Sequence, residues 1–401
     1  MSTRPLGPIT LLALGVNGIV GVGIFVAPPL VARAVPGPRG ALIYLVVAVA
    51  CLPVALTYAR LARALPGDGG PCLYADHAFG RRVSRAIGAL AWVSALFSAS
   101  AVTRALSDLV ARAIGFPSAS PFLACALVAL LAIANVRGLR LSAIAWTVLT
   151  VLKIAPLMVL AMIGAVRTTS TVSPGPRSAL GPALLSVLFA MQGFEIVSLP
   201  AGQARNAARD VPRATVGALV LAGTLYAAVH LACVRALPDL QRVEGAIPKA
   251  AAALAGVRLS NAIGLGVAAS IAGITVGMHA MTPRYLMAIG GKALSGSVET
   301  SWKAIAASAI LIAPLSAAGG VAQLVDLSSV SVLAQFAVTA GSLAVLSLRR
   351  EAGLRRGSAW PVPLVLAVVA VLLSQAPWRE LAFAAGLSAV AAIVAARKAD
   401  A

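Results

Sequence analysis

The sequence predicts an all-α membrane protein with 12 transmembrane helices: a 5+5 inverted-repeat core with broken helices 1 and 6, then two C-terminal helices. Three observations predict it. First, 60% of the 401 residues are hydrophobic and 11% charged, with a mean hydropathy of +0.95. A water-soluble domain carries about 25% charged residues, so this chain has too little polar surface to wrap a globule in water. Second, the apolar residues come in continuous runs of the roughly 20 residues that hydrocarbon demands, not in the alternation of a β-barrel. Third, two of these runs are interrupted at matched places, five spans apart.

The runs lie at about 9–33, 40–63, 85–113, 121–136, 142–166, 180–201, 213–236, 260–287, 303–319, 321–347, 360–376 and 379–396. Hydrocarbon offers no partner to a loose backbone group, so each run is expected to close its own hydrogen bonds as a helix. The opening stretch MSTRPLGPITLLALGVNGIV lacks the small-residue cleavage site of a signal peptide and is read as the first span itself. That span carries GVGIF at 21–25, where two glycines in three residues weaken the helix near its middle. The sixth carries FAMQGFE at 189–195, with Gly193 and a polar pair inside an apolar run. Residues 1–168 and 169–348 then form two five-span units, and 349–401 hold the last two helices. Five is odd, so the second unit enters the membrane from the opposite side. Matched breaks in inverted halves point to the central site of a transporter. Glycines that only let helices pack closely are the plainer alternative.

The formal net charge is +20, from 32 Lys and Arg against 12 Asp and Glu. In a soluble protein that balance suggests nucleic acid. Here the basic residues punctuate apolar runs and aromatics are only 5% of the chain, so no nucleic-acid partner is expected. With the N-terminus inside, 20 of the 32 fall on the inner side and 11 on the outer, with Lys153 alone mid-span. The positive-inside rule then expects a multi-pass protein of the cell inner (plasma) membrane with both termini cytoplasmic. Arg104, within the third run, can pair with Asp108 four residues on. Cys51, Cys125 and Cys233 lie inside apolar runs, read as small buried hydrophobes, and Cys72 stands outside them without a CxxC partner. His77, His230 and His279 share no metal-ligand spacing with them. No metal, no other cofactor and no obligate protein partner is expected, and clustered acids or histidines of a membrane-embedded enzyme are nearly absent.

Several segments resemble the amino acid–polyamine–organocation (APC) superfamily of permeases. GVGIF is similar to that family's G-S-G-I-F in helix 1, and GGPCLYADHAFG at 69–80 to its G-G-P-Y-x-Y-x-x-x-A-F-G loop. FAMQGFE resembles F-A-F-x-G-F-E in helix 6, and ARNAARDVPRA at 204–214 the loop that follows it. TPRYLMAIGGKAL at 282–294 resembles the end of helix 8, and LVDLSSVSVLAQF at 324–336 adds a weaker match in helix 10. The resemblance covers about 8–347 in order. It departs at Val22, Met191 and Ala207, where the family often has Ser, Phe and Pro.

The resemblance implies a secondary transporter with a small-molecule amino acid substrate inside the lipid bilayer. Such a zwitterion leaves water only if both its charges are paired. A broken helix offers free N–H groups at the start of its outer half, suited to a carboxylate, and free carbonyls at the end of its inner half, suited to an ammonium. Carboxylate binding is therefore assigned to the amides of Val22, Gly23 and Ile24, with Gly21 permitting the unwinding. Ammonium binding goes to the carbonyls of Ile19, Val20, Phe189 and Ala190. The resemblance makes Phe189 an aromatic gate; a core-facing Phe is the alternative. Met191 and Gln192 are expected to shape the side-chain pocket with Ser94 and Ser98 of helix 3.

Two charged residues stand out as coupling candidates. Glu195 is an acid in an apolar span, either exchanging a proton or serving as a structural acceptor. Lys153 sits about ten residues into the fifth span and needs a partner, loss of its proton, or a snorkelling path to the interface. The resemblance puts a lysine at this place against the break of helix 1, where sodium-coupled relatives hold Na⁺. That implies sodium independence, a proton as the coupling ion, and Lys153 as either a protonation switch or a fixed cation. Lacking a clear charge partner for a side chain, the site is expected to favour neutral L-amino acids. An exchanger without proton coupling and a non-transporting amino acid sensor are the alternatives.

Overall fold

The computed structural model describes residues 6–21, 23–67, 69–137, 143–166, 178–289 and 301–379, with short pieces at 381–383, 385–386 and 389. Among these the regular structure is helical. The first span is split into α1 (Pro8–Ile19) and α2 (Gly23–Ala34), with an angle of 49° between the halves. After them come α3 (Gly40–Ala64), α4 (Pro71–Phe79), α5 (Arg81–Ala113), α6 (Ser120–Val136) and α7 (Ala143–Ala165). The second part holds α8 (Leu180–Met191), α9 (Ala207–Ala236), α10 (Ala246–Ala255), α11 (Val257–Ile289), α12 (Trp302–Ala318), α13 (Val321–Arg349) and α14 (Pro361–Leu373). Eight helices among the described residues are long and apolar enough to cross a membrane, or nine if α1 and α2 count as one span. The expected span at 379–396 lies for the most part outside the described residues, as does Val22.

Ten of the expected runs coincide with helices or helix pairs to within about two turns, because the apolar stretches that define them are the stretches that must close their own backbone bonds. The sixth run, expected at 180–201, is α8 followed by a 3-10 turn at Phe194–Ser198. Two short helices, α4 and α10, were not expected; both lie in connections and stop at Gly80 and Gly256, whose φ of +83° and +81° end a helix cheaply.

The helices pack with α3 along α9, α5 between α11 and α13, α2 on α8, and α6 on α12. One large apolar core runs through them, and inside it Tyr58, Tyr74, Phe194 and Phe336 meet, with Tyr58 edge-on to the other three at centroid distances of 6.1–6.4 Å. The N-terminus is pinned as well: Leu6 exchanges backbone hydrogen bonds of 2.9 Å with Gln203 and Arg205. The Arg104–Asp108 pair forms as its spacing suggests, at 2.9 Å, and Arg104 also donates to the carbonyl of Ala317 at the end of α12. Cys51 and Cys233 are buried, but Cys125 of α6 is exposed.

Candidate functional site

The two interrupted helices reach the same place. α1 ends at Ile19, and α2 restarts at Gly23. α8 ends at Met191; Gly193 then takes φ +113°, a left-handed conformation that favours glycine, before the 3-10 turn. The interruptions touch backbone to backbone: a Cβ on Gly18 would lie 2.8 Å from the Gly193 carbonyl oxygen, and one on Gly193 would lie 2.8 Å from the Ile19 nitrogen. A similar contact joins the next turns, since a Cβ on Gly23 would lie 2.5 Å from the Ala190 Cα. Gly23 thus serves close packing of α2 on α8, whatever else its amide does.

The carbonyls freed at the end of α1 are taken by side chains from three other helices. Lys153 of α7 is buried, and its Nζ donates to the carbonyls of Asn17 at 2.9 Å and Val20 at 2.5 Å. The ammonium therefore runs inward to the break and does not snorkel outward. Tyr226 of α9 donates to the Ile19 carbonyl at 3.0 Å, and Ser270 of α11 donates to that of Val20 at 3.3 Å. Beside them the Asn17 side chain is buried with neither its oxygen nor its nitrogen paired.

The break after α8 is satisfied locally. The Gly193 amide donates to Glu195 Oε2 at 3.0 Å, and Ser198 Oγ donates to the Glu195 carbonyl at 2.7 Å. The buried carboxylate of Glu195 thus serves as the acceptor for its own turn while also lining the cavity between the helices.

That cavity collects Ile19, Gly21 and Gly23 from the first break, and Phe189, Gln192 and Glu195 from the second. Ser94 and Ser98 of α5 line it too. Phe189 is half-buried there, packed also against Val102 and Ile271. Val20, Ile24, Ala190 and Met191 are buried and do not line it. The Met191 side chain turns to α9, with its Cε 3.9 Å from where a Cβ on Gly223 would stand.

One wall is a chain of small polar groups. Ser98 Oγ lies 2.6 Å from Ser328 Oγ, Ser328 Oγ donates to Gln192 Oε1 at 3.3 Å, and Gln192 Nε2 donates to Ser329 Oγ at 3.3 Å. Ser94 Oγ reaches the Ser328 carbonyl at 3.4 Å. The apolar part of the lining comes from Ile274 and Met278 of α11, Val102 of α5 and Val332 of α13. Sequence reasoning missed Tyr226 and Ser270, because a lone hydroxyl in an apolar run carries no signal. Ser328 and Ser329 had one: they are the polar pair of LSSVS inside the run at 321–347.

Comparison with known proteins bears on this geometry. A family model described as amino acid permease matches residues 6–392. The chain is 27% identical over 314 residues to cationic amino acid transporter 9, chloroplastic, of Arabidopsis thaliana, covering 71% of this chain and 54% of that protein. It is 25% identical over 300 residues to the serine/threonine exchanger SteT of Bacillus subtilis (strain 168), covering 71% and 68%. It is 27% identical over 261 residues to the branched-chain amino acid permease BcaP of the same organism, covering 59% and 56%. Two Arabidopsis relatives are matched over 54% and 58% of their own length, so the chain spans little more than half of them.

Proposed function

The chain belongs to the amino acid permease family, and on that premise we propose that it is a secondary transporter of amino acids in the cell inner (plasma) membrane, with both termini cytoplasmic. The observation that carries this reading is that both helix interruptions open on one cavity and touch there, Gly18 on Gly193. The 5+5 inverted arrangement of twelve spans, with halves at 1–168 and 169–348, is part of the proposal. Its support is the packing of α2 on α8, α3 on α9, α5 on α11 and α6 on α12, which pairs each of the first four spans with its counterpart in the second half.

In this reading the substrate carboxylate is held by the amides of Val22, Gly23 and Ile24, because α2 starts at Gly23 and a helix start presents unpaired donors. Its ammonium goes first to carbonyls with capacity to spare. A carbonyl oxygen has two lone pairs. Ile19 uses one on Tyr226, while Val20 uses both, on Lys153 and Ser270. The Ile19 and Phe189 carbonyls, from residues that line the cavity, therefore receive the ammonium; Ala190 and Val20 do not line it, and Val20 is freed only when Lys153 withdraws.

That competition is the proposed coupling. A protonated Lys153 holds the carbonyls that would otherwise attract a small cation, which supports independence from Na⁺. Loss of its proton removes two charge-assisted bonds from the end of α1. Glu195 is the second coupling candidate, less favoured because its carboxylate already accepts the Gly193 amide. Uptake into proteoliposomes is expected to rise with an acidic exterior and to ignore Na⁺; strong stimulation by Na⁺ would refute it. Exchange without proton coupling is the second reading, favoured by the likeness to an exchanger; it would appear as counterflow that ignores the proton gradient. Binding without uptake of any kind would instead select a sensor.

Neutral L-amino acids are the proposed substrates. Apart from Glu195, the cavity is lined by serines, amides, the Tyr285 phenol and apolar side chains, none of them charged. A competition screen should find small and medium neutral amino acids displacing label best. A screen in which only arginine or diamines compete would overturn this and give Glu195 the side-chain role.

A further inference from the structure

A second cavity opens where the last turns of α3 meet the first turns of α9, away from the break residues. Its walls carry four guanidinium groups, Arg60 and Arg63 from α3 and Arg209 and Arg213 from α9, over Leu56 and Pro212. Spacings of three and four residues put each pair on one helix face. Among the described residues none of the four forms an ion pair with a carboxylate, and Asp210, adjacent in sequence, is buried and does not line the cavity. Four cations converging on one concavity repel one another unless an anion lies between them.

Arg60 is already positioned. Its Nη1 donates to the Ser358 carbonyl at 2.6 Å, and its guanidinium lies 5.1 Å over the Trp360 ring. Arg63, Arg209 and Arg213 are exposed, with donors to spare. Planar guanidinium forks match phosphate oxygens in a way ammonium groups do not. Both helices are long and apolar enough to span the membrane, and the cavity lies at their ends, where lipid headgroups stand. The apolar floor suits the glycerol and first methylenes of a lipid better than a hydrated solute.

We infer that this four-arginine cavity is a binding site for the phosphate headgroup of an anionic phospholipid. The site is separate from the substrate cavity and does not depend on transport. The test uses the full chain, delipidated in neutral detergent, with thermal unfolding followed while phosphatidylglycerol, phosphatidylcholine or soluble glycerol 3-phosphate is added. Phosphatidylglycerol should raise the melting temperature saturably, and the other two should not. Arg63→Gln/Arg209→Gln/Arg213→Gln should weaken its apparent affinity about tenfold or more. The equal loss of charge in Arg81→Gln/Arg82→Gln/Arg85→Gln should leave it unchanged. Should the first triple variant fail to fold, each of its single substitutions is expected to weaken binding about threefold. Equal stabilisation by phosphatidylcholine, reproduction of the effect by glycerol 3-phosphate, an equal loss in the Arg81 triple variant, or single variants that match the wild type would each overturn the inference.

Discussion

The two helix interruptions solve one problem in opposite ways. At the first, the carbonyls of Asn17, Ile19 and Val20 are satisfied by side chains from α7, α9 and α11, more than 130 residues away in sequence. At the second, Glu195 and Ser198 close the turn within six residues, around a glycine in a left-handed conformation. A break held by distant side chains changes when those helices move or a proton is lost. A break held by its own residues keeps its shape. The first has the character of a moving part and the second that of a fixed seat.

The largest expected effect tests the fixed seat. Gly193→Ala forces a side chain onto positive φ and drives Cβ into the backbone of Gly18 and Ile19. It should cost about 3 kcal/mol or more, seen as loss of folded protein in size-exclusion and thermal unfolding. Gly21→Ala, in the first break, meets only the flexible end of Ile274. It should cost about 1 kcal/mol, and equal losses for the two would erase the contrast.

Lys153→Met sharpens the other side. It leaves two buried carbonyl acceptors without their charged donor, a stability loss of about 1–3 kcal/mol. Uptake should lose its response to a proton gradient while some exchange persists. Tyr226→Phe removes one neutral bond to Ile19 and should cost about 1 kcal/mol, read from chemical denaturation in detergent. The smallest effect is expected at Glu195→Gln. The amide oxygen can still accept from Gly193, so stability should change by roughly 0.5–1 kcal/mol and proton-driven uptake should persist. Complete loss of the pH response in this variant would transfer the coupling role to Glu195.

Much of the fold was legible in the sequence because a membrane span is a local property: a run of apolar residues must hydrogen-bond to itself. The breaks were legible too, since glycine and polar residues are conspicuous in such runs. Lys153 was singled out by the cost of its charge alone. What sequence could not supply was direction. Met191 and Gln192 are neighbours, yet one turns to α9 and the other into the cavity, because the chain leaves helical geometry between them. Nor could it tell that Gly23 is pressed against Ala190, a contact between segments 167 residues apart. The short helices α4 and α10 escaped because nine or ten residues in a connection give too little periodicity.

The contact of Gly18 with Gly193 also acts as a fulcrum. From it to Pro8 α1 extends about 15 Å, so a tilt of roughly 15° would sweep its far end through about 4 Å. That far end is clasped: Leu6 gives its N–H to Gln203 and takes one from Arg205. The lever therefore cannot swing alone. Either two backbone hydrogen bonds part, or residues 203–205 travel with it and pull on the 3-10 turn that begins at Phe194. The moving part and the fixed seat are geared together at the end opposite their point of contact.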